Sequence, residues 1–461
     1  MSKFNLSDTI AAISTGLGES GIGIVRLSGR DALKIADKVF KSKDGKAPSQ
    51  FKTYTTHYGW IVDQRANIID EVLLTVMRAP KSYTREDVVE VNCHGGMVAM
   101  RRVLDLVLEN GARLAEPGEF TQRAFLKGRI DLVQAEAVLE IIRAKTDAAL
   151  KISTAQLQGA LSSQINNFRK ALLEIVAILE ANIDFPEEEI GTVNLKKISQ
   201  KMRAVHKGLK NIIGGYRRGR ILREGIQVVI CGKPNVGKSS LLNALLKEER
   251  SIVTPVAGTT RDTIEEIIDI QGIPVRIVDT AGMIEPRDLL EKKAVTRSRQ
   301  QVALADLVIL LFDGSKKIDQ DDQLLIRKLK HKPVIAVVNK IDLKEKIERE
   351  KLLANFGQVI GISAKKIKNI SLLEDALAEA VFQGKVTPRE AVLVSNLRHL
   401  HKLKEAQKLI EEALVSLDNK LSLEFMAQSL KDALGSLDDI LGKRFSEDLL
   451  EKIFQEFCIG K

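Results

Sequence analysis

The sequence predicts a multidomain fold with an α+β N-terminal domain, an α-helical domain and an α/β domain inserted into the helical one. Residues 1–118 mix strand-like and helix-like stretches, residues 119–221 and 385–461 carry helical periodicity, and residues 222–384 alternate strands with helices. The length of 461 residues suits three domains of roughly 150 residues each. Each helical block must bury its apolar stripe, so one joint helical domain is the economical arrangement, with two separate bundles as the alternative.

Local patterns justify these elements in chain order. In the N-terminal domain, residues 23–27 and 88–91 are strand-like, and residues 30–40 and 98–109 are helix-like. Apolar residues at helical spacing mark the two helical blocks, namely Leu172, Ile175, Val176 and Leu179, then Leu403, Ala406, Ile410, Leu414 and Leu417. Residues 184–189 interrupt the first block, where a proline and acids suit a new first turn. Short apolar runs predict buried parallel strands at 227–231, 274–278, 307–312, 334–338 and 359–362.

Composition and charge limit the possible partners and location. A net charge of +10 and a pI of about 9.2 favour an anionic partner such as nucleic acid, whereas 4% aromatic residues argue against a base-stacking platform. No run approaches the roughly 18 apolar residues of a membrane helix, and residues 1–10 lack a secretory pattern. Cys93, Cys231 and Cys458 form no disulfide framework or zinc ligand set, so we expect a cytoplasmic protein that binds no membrane.

The most informative motif is G-x-x-x-x-G-K-S at residues 232–239, between an apolar run and a helix-like stretch. Its glycines let backbone amides surround phosphate oxygens, Lys238 can reach the β- and γ-phosphates, and Ser239 can bind magnesium. The alternative is a chance glycine-rich turn, which would not require this strand–loop–helix context. The motif predicts a nucleoside triphosphate site.

Three later motifs select the nucleotide, each at a strand end: Asp279-Thr280-Ala281-Gly282, Asn339-Lys340-Ile341-Asp342 and Ser363-Ala364-Lys365. The Asp342 carboxylate can accept two hydrogen bonds from guanine, whereas adenine offers no such pair of donors. Asp279 can hold magnesium through water, and the Gly282 amide can sense the γ-phosphate. A backbone amide of the third motif can meet guanine O6. The order of these motifs predicts GTP.

The residues alone offer alternatives for the hydrolytic device. Thr260 is the candidate magnesium-sensing hydroxyl of switch I, and the next residue, Arg261, is either an arginine finger or an ion-pair partner of a nearby acid. Met283 stands where Ras-like enzymes carry a water-positioning glutamine. Asn235 inside the P-loop can hold a compensating cation, or it merely tolerates an unusual backbone conformation.

Motifs throughout the chain point to one family. In addition to the P-loop, the chain contains the motifs GTTRD at 258–262 and FCIGK at 457–461. Four more lie towards the N-terminus: GIVRLSG at 23–29, CHGG at 93–96, PGEFT at 117–121 and DLVQAEA at 131–137. On these motifs the whole chain resembles the MnmE (TrmE) family of bacterial tRNA modification GTPases, and together they are far more specific than a P-loop.

The resemblance implies how the GTP site works. In that family the G domains of a homodimer meet across their switch regions when GTP binds, and potassium completes the site. The implied potassium ligands are Asn235, Thr254, Val256 and Thr259, and the implied magnesium ligands are Ser239 and Thr260. Lys238, Asn235 and Glu291 are the implied catalytic residues, with Glu291 orienting the water; the alternative for Glu291 is a solvated helix face. The implied nucleotide contacts are Asn235, Val236, Gly237, Lys238, Ser239, Ser240, Thr254, Pro255, Val256, Ala257, Gly258, Thr259, Thr260, Asp279, Thr280, Ala281, Gly282, Asn339, Lys340, Ile341, Asp342, Ser363, Ala364 and Lys365.

The N-terminal domain resembles a tetrahydrofolate-binding module that also serves dimerisation. The implied contacts of the folate derivative, in its 5-formyl or 5,10-methylene form, are Arg26, Glu90, Arg129 and Lys461. Glu90 can accept adjacent pterin donors, and Arg26 or Arg129 can hold the glutamate tail, although Arg26 alone would suggest a sheet-edge charge. Cys458 is implied as a catalytic group near the folate carbon, or it is only a packed terminal residue. The last four residues do not form a prenylation box.

The implied reaction is modification of C5 of the wobble uridine in certain tRNAs with an aminomethyl or carboxymethylaminomethyl group. The FAD-dependent MnmG would join the homodimer in a heterotetramer, the folate would supply one carbon, and GTP hydrolysis would switch the complex. Basic residues 217–220 would contact tRNA phosphates or only pair with acidic helix faces. The alternatives are a regulatory or ribosome-assembly GTPase and a nucleotide-regulated dimeric scaffold.

Overall fold

The structure, a computed structural model, describes residues 7–184, 194–246, 251–252, 266–279, 300–382, 393–419 and 421–461. Contacts divide the chain into two compact units. The first comprises Met1–Leu139, Gln156–Lys201 and Lys408–Lys461, and the second comprises Glu140–Ala155 and Met202–Gln407. The boundaries of the three predicted domains stay a prediction.

An α+β layer forms the N-terminal part of the first unit. Its strands are β1 Ile10–Ile13, β2 Gly23–Ser28, β3 Phe40–Ser42, β4 Thr55–Val62, β5 Ile68–Met77, β6 Val88–Cys93 and β7 Arg113–Leu114. They pair in the order β3-β4-β5-β6-β2-β1-β7, antiparallel except for β1 with β7. Helices α1 Ala32–Val39 and α2 Met97–Glu109 pack on the apolar residues of this sheet. The predicted strands and helices of this region are confirmed, and β1, β3, β4, β5 and β7 are additional.

Helices follow from Gly118 onward and again near the C-terminus. They are α3 Glu119–Leu126, α4 Leu132–Arg143, α5 Asp147–Leu157, α6 Ala160–Asp184, α7 Leu195–Gly214, α8 Tyr216–Glu224, α13 Leu397–Asp418, α14 Leu423–Leu441 and α15 Glu447–Phe454. Within the first unit α6 packs along α14, with ion pairs from Arg169 to Asp438 (2.5 Å) and from Lys431 to Glu180 (2.6 Å). The predicted apolar stripes are buried, apart from half-buried Leu417. The predicted helix start at 184–189 falls almost wholly outside the described residues.

The second unit contains the predicted α/β fold. Its elements are β8 Ile226–Cys231, α9 Lys238–Leu246, β9 Ser251–Ile252, β10 Glu266–Ile270, β11 Ile273–Asp279, β12 Leu307–Asp313, α10 Gln320–Leu329, β13 Val334–Asn339, α11 Arg349–Phe356, β14 Val359–Gly361 and α12 Ile370–Phe382. The strand order is β14-β13-β12-β8-β11-β10-β9, parallel from β14 to β11 and antiparallel beyond. Separate apolar cores cover the two faces, which explains the continuous apolar runs. The antiparallel strands β9 and β10 were not among the predicted strands.

Candidate functional site

The P-loop lies between buried strand β8 and helix α9, as its motif requires. Asn235 adopts the left-handed conformation, with φ of 63°. Gly237 has φ of 102°, and a β-carbon there would lie 2.3 Å from Asn339 Nδ2. Only glycine fits this position, because the backbone is left-handed and another motif contacts it directly.

Lys238 and Ser239 occupy the first turn of α9, where helical amides favour anions. The Lys238 ammonium donates to the carbonyls of Gly232 (3.1 Å) and Lys233 (3.0 Å), so it lies over the loop. Ser239 and Ser240 are exposed. A phosphate group at this turn could therefore contact backbone amides, an ammonium and a hydroxyl together.

Asn339 links the P-loop to the motifs that would read the base. It is the buried last residue of β13, and its Nδ2 donates to the carbonyl of Val236 (2.9 Å). Its Oδ1 accepts the backbone amides of Lys340 (2.8 Å) and Ala364 (3.0 Å). One amide side chain thus links the P-loop with the motifs at 339–342 and 363–365.

Lys340 makes a second link, through a residue that the sequence prediction missed. Its ammonium donates to the Asn235 carbonyl (2.9 Å) and to Asp313 Oδ2 (2.6 Å). Asp313 is buried at the end of β12, which tends to raise the pKa of its carboxyl, but the hydrogen bonds from Lys340 and Ser315 lower that pKa overall. The signal was available, because Asp313 ends the strand next to β13.

Asp342 lies three residues after the end of β13. Its Oδ1 accepts a hydrogen bond from the hydroxyl of Ser363 (2.6 Å), and this bond lowers the pKa of the Asp342 carboxyl. The carboxyl is exposed, while Ser363 and Ala364 are buried beside it. An oriented carboxylate with a lowered pKa presents acceptors that the guanine N1–H and 2-amino groups complement, whereas the Ala364 amide is bound to Asn339 Oδ1.

Several predicted residues lie outside the described residues. These are Thr254, Pro255, Val256, Ala257, Gly258, Thr259, Thr260, Arg261, Thr280, Ala281, Gly282, Met283 and Glu291. Asp279 is confirmed as the last residue of β11, where it pairs with Ile230 of β8, and only its backbone is described.

A second site lies on the N-terminal sheet. Arg26 of β2 and Glu90 of β6 are register partners, and Arg26 Nε binds Glu90 Oε1 at 2.7 Å. Both side chains are largely buried, with 17% and 20% of their surface exposed. Strand β2 lies between β6 and β1, so the alternative of Arg26 as a sheet-edge charge is wrong.

The C-terminal tail completes this site within the same unit. Arg26 Nη1 donates to the Gly460 carbonyl (3.3 Å), and the Phe120 amide donates to the Lys461 carbonyl (3.1 Å). Gly460 has φ of +94°, and a β-carbon there would lie 2.2 Å from the carbonyl of Ile13. Cys458 is exposed, whereas Cys93 and Cys231 are buried. The tail can dock in this way because glycine stands at position 460.

Arg129 reaches the site through Tyr83, which the sequence prediction missed. The Arg129 guanidinium lies 4.8 Å from the centre of the Tyr83 ring, and that of Arg26 lies 5.6 Å from the Phe120 ring. Tyr83 shares a hydrogen bond with Thr121 (2.9 Å), and burial raises the pKa of its hydroxyl. Nothing in the local pattern around Tyr83 marked it, because only folding brings it near both arginines.

No helix in the described part of the chain has the length and apolar character needed to cross a membrane.

Comparison with known proteins identifies the relatives of this chain. A family described as MnmE helical domain matches residues 132–458, and one described as GTP-binding protein TrmE N-terminus matches residues 9–129.

The chain belongs to the MnmE (TrmE) family of GTPases. Proteins named tRNA modification GTPase MnmE match it almost end to end. The one from Clostridioides difficile (strain 630) is 46% identical over 458 residues, covering 99% of this chain and 100% of the relative. The one from Bacillus subtilis (strain 168) is 44% identical over 458 residues, covering 98% and 100%. The family resemblance drawn from the motifs is confirmed.

Proposed function

We propose that this protein hydrolyses GTP and, with a flavoprotein partner, modifies C5 of the wobble uridine of certain tRNAs. The observation that carries the proposal is that Asn339 links the P-loop to the Ala364 amide, while Ser363 of the same motif holds the Asp342 carboxyl. It is supported by end-to-end similarity to proteins named tRNA modification GTPases. The proposed product carries an aminomethyl or carboxymethylaminomethyl group.

Magnesium fits the first turn of α9. The exposed hydroxyl of Ser239 is an oxygen ligand of the kind that Mg²⁺ prefers, and Thr260 would be the second hydroxyl. When bound, the ion would neutralise charge on the β- and γ-phosphates. Lys238 would hold the same phosphates, and Glu291 would orient the attacking water.

A potassium ion is proposed beside Asn235. Lys340 already holds the Asn235 carbonyl, so the exposed side chain of Asn235 would supply the ligand oxygen. Thr254, Val256 and Thr259 would complete the ligand set. The cation would supply positive charge where Ras-like enzymes use an arginine.

A tetrahydrofolate derivative suits the N-terminal site. Arg26 orients the Glu90 carboxylate, which could accept neighbouring pterin N–H groups. Arg129 and Lys461 would provide positive charge for a glutamate tail, and half-buried Tyr83 would provide aromatic surface. The folate would supply the one-carbon unit, and exposed Cys458 is the proposed catalytic group of the tail.

The proposed assembly is a cytoplasmic homodimer that joins the FAD-dependent MnmG in a heterotetramer. GTP binding would bring the two G domains together, and hydrolysis would release them. tRNA is the proposed macromolecular substrate, which suits a net charge of +10.

Two measurements test the proposal. Purified protein should hydrolyse GTP at least about tenfold faster in potassium than in sodium chloride, because a stabilising charge at the phosphates is worth that much or more. Asn235→Ala should remove the difference between the two salts. Equal, slow rates for the unaltered protein would refute the cation mechanism.

Cells lacking the protein should lose wobble-uridine modification, and normal tRNA would instead favour a regulatory or ribosome-assembly GTPase.

A further inference from the structure

Helices α7 and α8 have an unusual charge distribution. Residues 195–223 contain ten lysines and arginines and no aspartate or glutamate. The chain as a whole is more balanced, with 71 basic and 61 acidic residues. A helix surface that contacts only solvent usually carries acidic as well as basic side chains. The absence of aspartate and glutamate over this length therefore indicates a polyanionic partner.

The structure arranges part of this charge as one exposed line in the second unit. Arg203, Lys207 and Lys210 are exposed on α7 at i, i+4 and i+7, and Arg217 and Arg220 are exposed on α8. We call these five residues the basic stripe. Gly215 between the helices keeps right-handed helical torsions (φ −76°, ψ −11°), so the stripe continues for about 25 Å at 1.5 Å per residue.

The opposite face of α7 is committed to packing. Met202, Val205 and Leu209 are buried, and this apolar face fixes the rotation of α7, so Arg203, Lys207 and Lys210 must face outward. On α8, Ile221 and Leu222 are buried while Arg217 and Arg220 stay exposed.

Other basic residues of α8 have structural contacts. Arg218 lies over the Phe382 ring at 5.6 Å, and Arg223 binds Glu140 at 3.2 Å. Within the part of the chain that the structure describes, Lys207, Lys210 and Arg217 form no ion pair, and Arg220 has only a 3.9 Å contact with Glu224. The basic run at 217–220 lies within helix α8 and divides its arginines between packing and surface.

The chemistry of the stripe favours phosphates over other anionic surfaces. Protein interfaces are depleted in lysine and enriched in aromatic residues, whereas the exposed neighbours of the stripe are small or polar, such as Ala204, Asn211 and Gly214. An interfacial membrane helix would need large apolar residues at the edge of its basic face. Cations spaced one helical turn apart, with half-buried His206 and Tyr216 as the rings beside them, suit backbone contacts rather than base reading.

We propose that the basic stripe binds the phosphate backbone of tRNA. This inference rests on the proposed function, and it assigns the RNA contact to a surface separate from both sites described above. The stripe would position the RNA without reading its sequence, since phosphate contacts carry no base information.

The test compares two triple variants with the same loss of charge. The stripe variant is Lys207→Gln, Lys210→Gln and Arg217→Gln. The control is Arg327→Gln, Lys328→Gln and Lys330→Gln, three exposed residues at the end of α10 in the same unit. Affinity for a fluorescent, unmodified tRNA transcript is measured by anisotropy over a range of salt concentrations, and GTP hydrolysis without RNA checks folding.

The stripe variant should bind tRNA about tenfold more weakly at low salt, and the slope of log K against log salt should fall by about two, since each phosphate contact contributes roughly 0.7–0.9. The control should keep the slope of the unaltered protein. Equal slopes for the two variants would overturn the inference and leave the proposed function standing. A stripe variant that loses only the flavoprotein partner would also overturn it. Failure of the unaltered protein to bind any tRNA would count against the proposed function itself.

Discussion

In the GTP site, Asn339 contacts a P-loop residue and an amide of the next motif, whereas in the N-terminal site Arg26 contacts Gly460, 434 positions away. The first site is assembled at the ends of neighbouring parallel strands, where the topology brings successive motifs together. The second is assembled from two antiparallel strands, a helix start and the tail of the chain. The two sites therefore depend on different features, short motifs in one and long-range docking in the other.

Because of this difference, we expect the two sites to respond differently to single substitutions. The GTP site depends on single polar groups that hold one another, so exchanging one functional atom should change specificity without unfolding the domain. The N-terminal site depends on backbone fit, since Gly460 lies against Ile13 and the tail carbonyls accept from Arg26 and Phe120. There, one added methyl group should suffice to undock the tail.

The largest effect is expected for Asp342→Asn. The amide oxygen could accept from only one of the two guanine donors, and the amide nitrogen would face the other. GTP affinity should therefore fall roughly 100- to 1,000-fold, because one hydrogen bond to a charged group, worth about 1.5–3 kcal/mol, is lost and the other is weakened. Xanthosine triphosphate, which carries a carbonyl in place of the 2-amino group, should bind the variant better than GTP. Competition against a fluorescent nucleotide measures both affinities.

Asp321→Asn, at an exposed carboxylate of the same unit, is the matched control and should keep its preference for GTP. If Asp342→Asn retained normal GTP affinity, the guanine assignment would be wrong, and the motif at 339–342 would have only the structural role of linking loops.

A smaller effect is expected for Gly460→Ala. Alanine would adopt a left-handed conformation against the Ile13 carbonyl, which costs roughly 1–3 kcal/mol, so the tail should detach. Affinity for 5-formyltetrahydrofolate, measured by calorimetry, should fall about tenfold. Binding of a fluorescent guanine nucleotide should be unaffected, because that site uses none of these residues.

Gly442→Ala provides the comparison, since it also replaces a left-handed glycine (φ +71°) in the same unit. It should lower stability without a specific loss of folate affinity. Equal folate affinities for Gly460→Ala and the unaltered protein would show that tail docking does not build this site.

Sequence alone could predict that the P-loop and the motifs at 339–342 and 363–365 come together, and the reason is physical. The P-loop, Asn339 and Asp342 follow the ends of strands, and a parallel sheet brings these ends to one edge. The spacing and order of the motifs were therefore sufficient to predict that they lie together. The predicted residues at 254–261 and 280–283 and Glu291 lie outside the described residues and stay a prediction. Asp313 was missed because a lone aspartate at a strand end has no motif. Tyr83 and the contact of Arg26 with Gly460 could not be derived from pattern, because they depend on long-range docking. The folate residues were reached by family resemblance.

The smallest effect concerns pH, and it also separates the two regions. His94 belongs to the N-terminal CHGG motif, and its Nδ1 lies 2.6 Å from Asp70 Oδ1. The hydrogen bond to Asp70 and the negative charge of that carboxylate raise the pKa of the His94 imidazole. Because the imidazole pKa is higher in the folded than in the unfolded protein, protonated His94 stabilises the fold. This stabilisation is complete at pH values below the unfolded pKa, near 6.5, and is lost as the pH rises through the folded pKa. In the GTP site, the pKa values of Asp313 and Asp342 are lowered, so their contribution is lost only in acid. Between pH 6 and 8, therefore, only the N-terminal region should weaken.

Trp60, the single tryptophan of the chain, lies on β4 of the N-terminal sheet and reports on this region directly. Its fluorescence should show a slightly lower urea midpoint at pH 8 than at pH 6, and Asp70→Asn should reduce that difference because the imidazole then keeps its ordinary pKa. His331→Gln, at an exposed histidine of the second unit, should leave the difference unchanged. A pH difference that survived in Asp70→Asn at full size would mean that another group titrates. The contrast between an N-terminal region sensitive near neutral pH and a GTP site sensitive only in acid would then have to be abandoned.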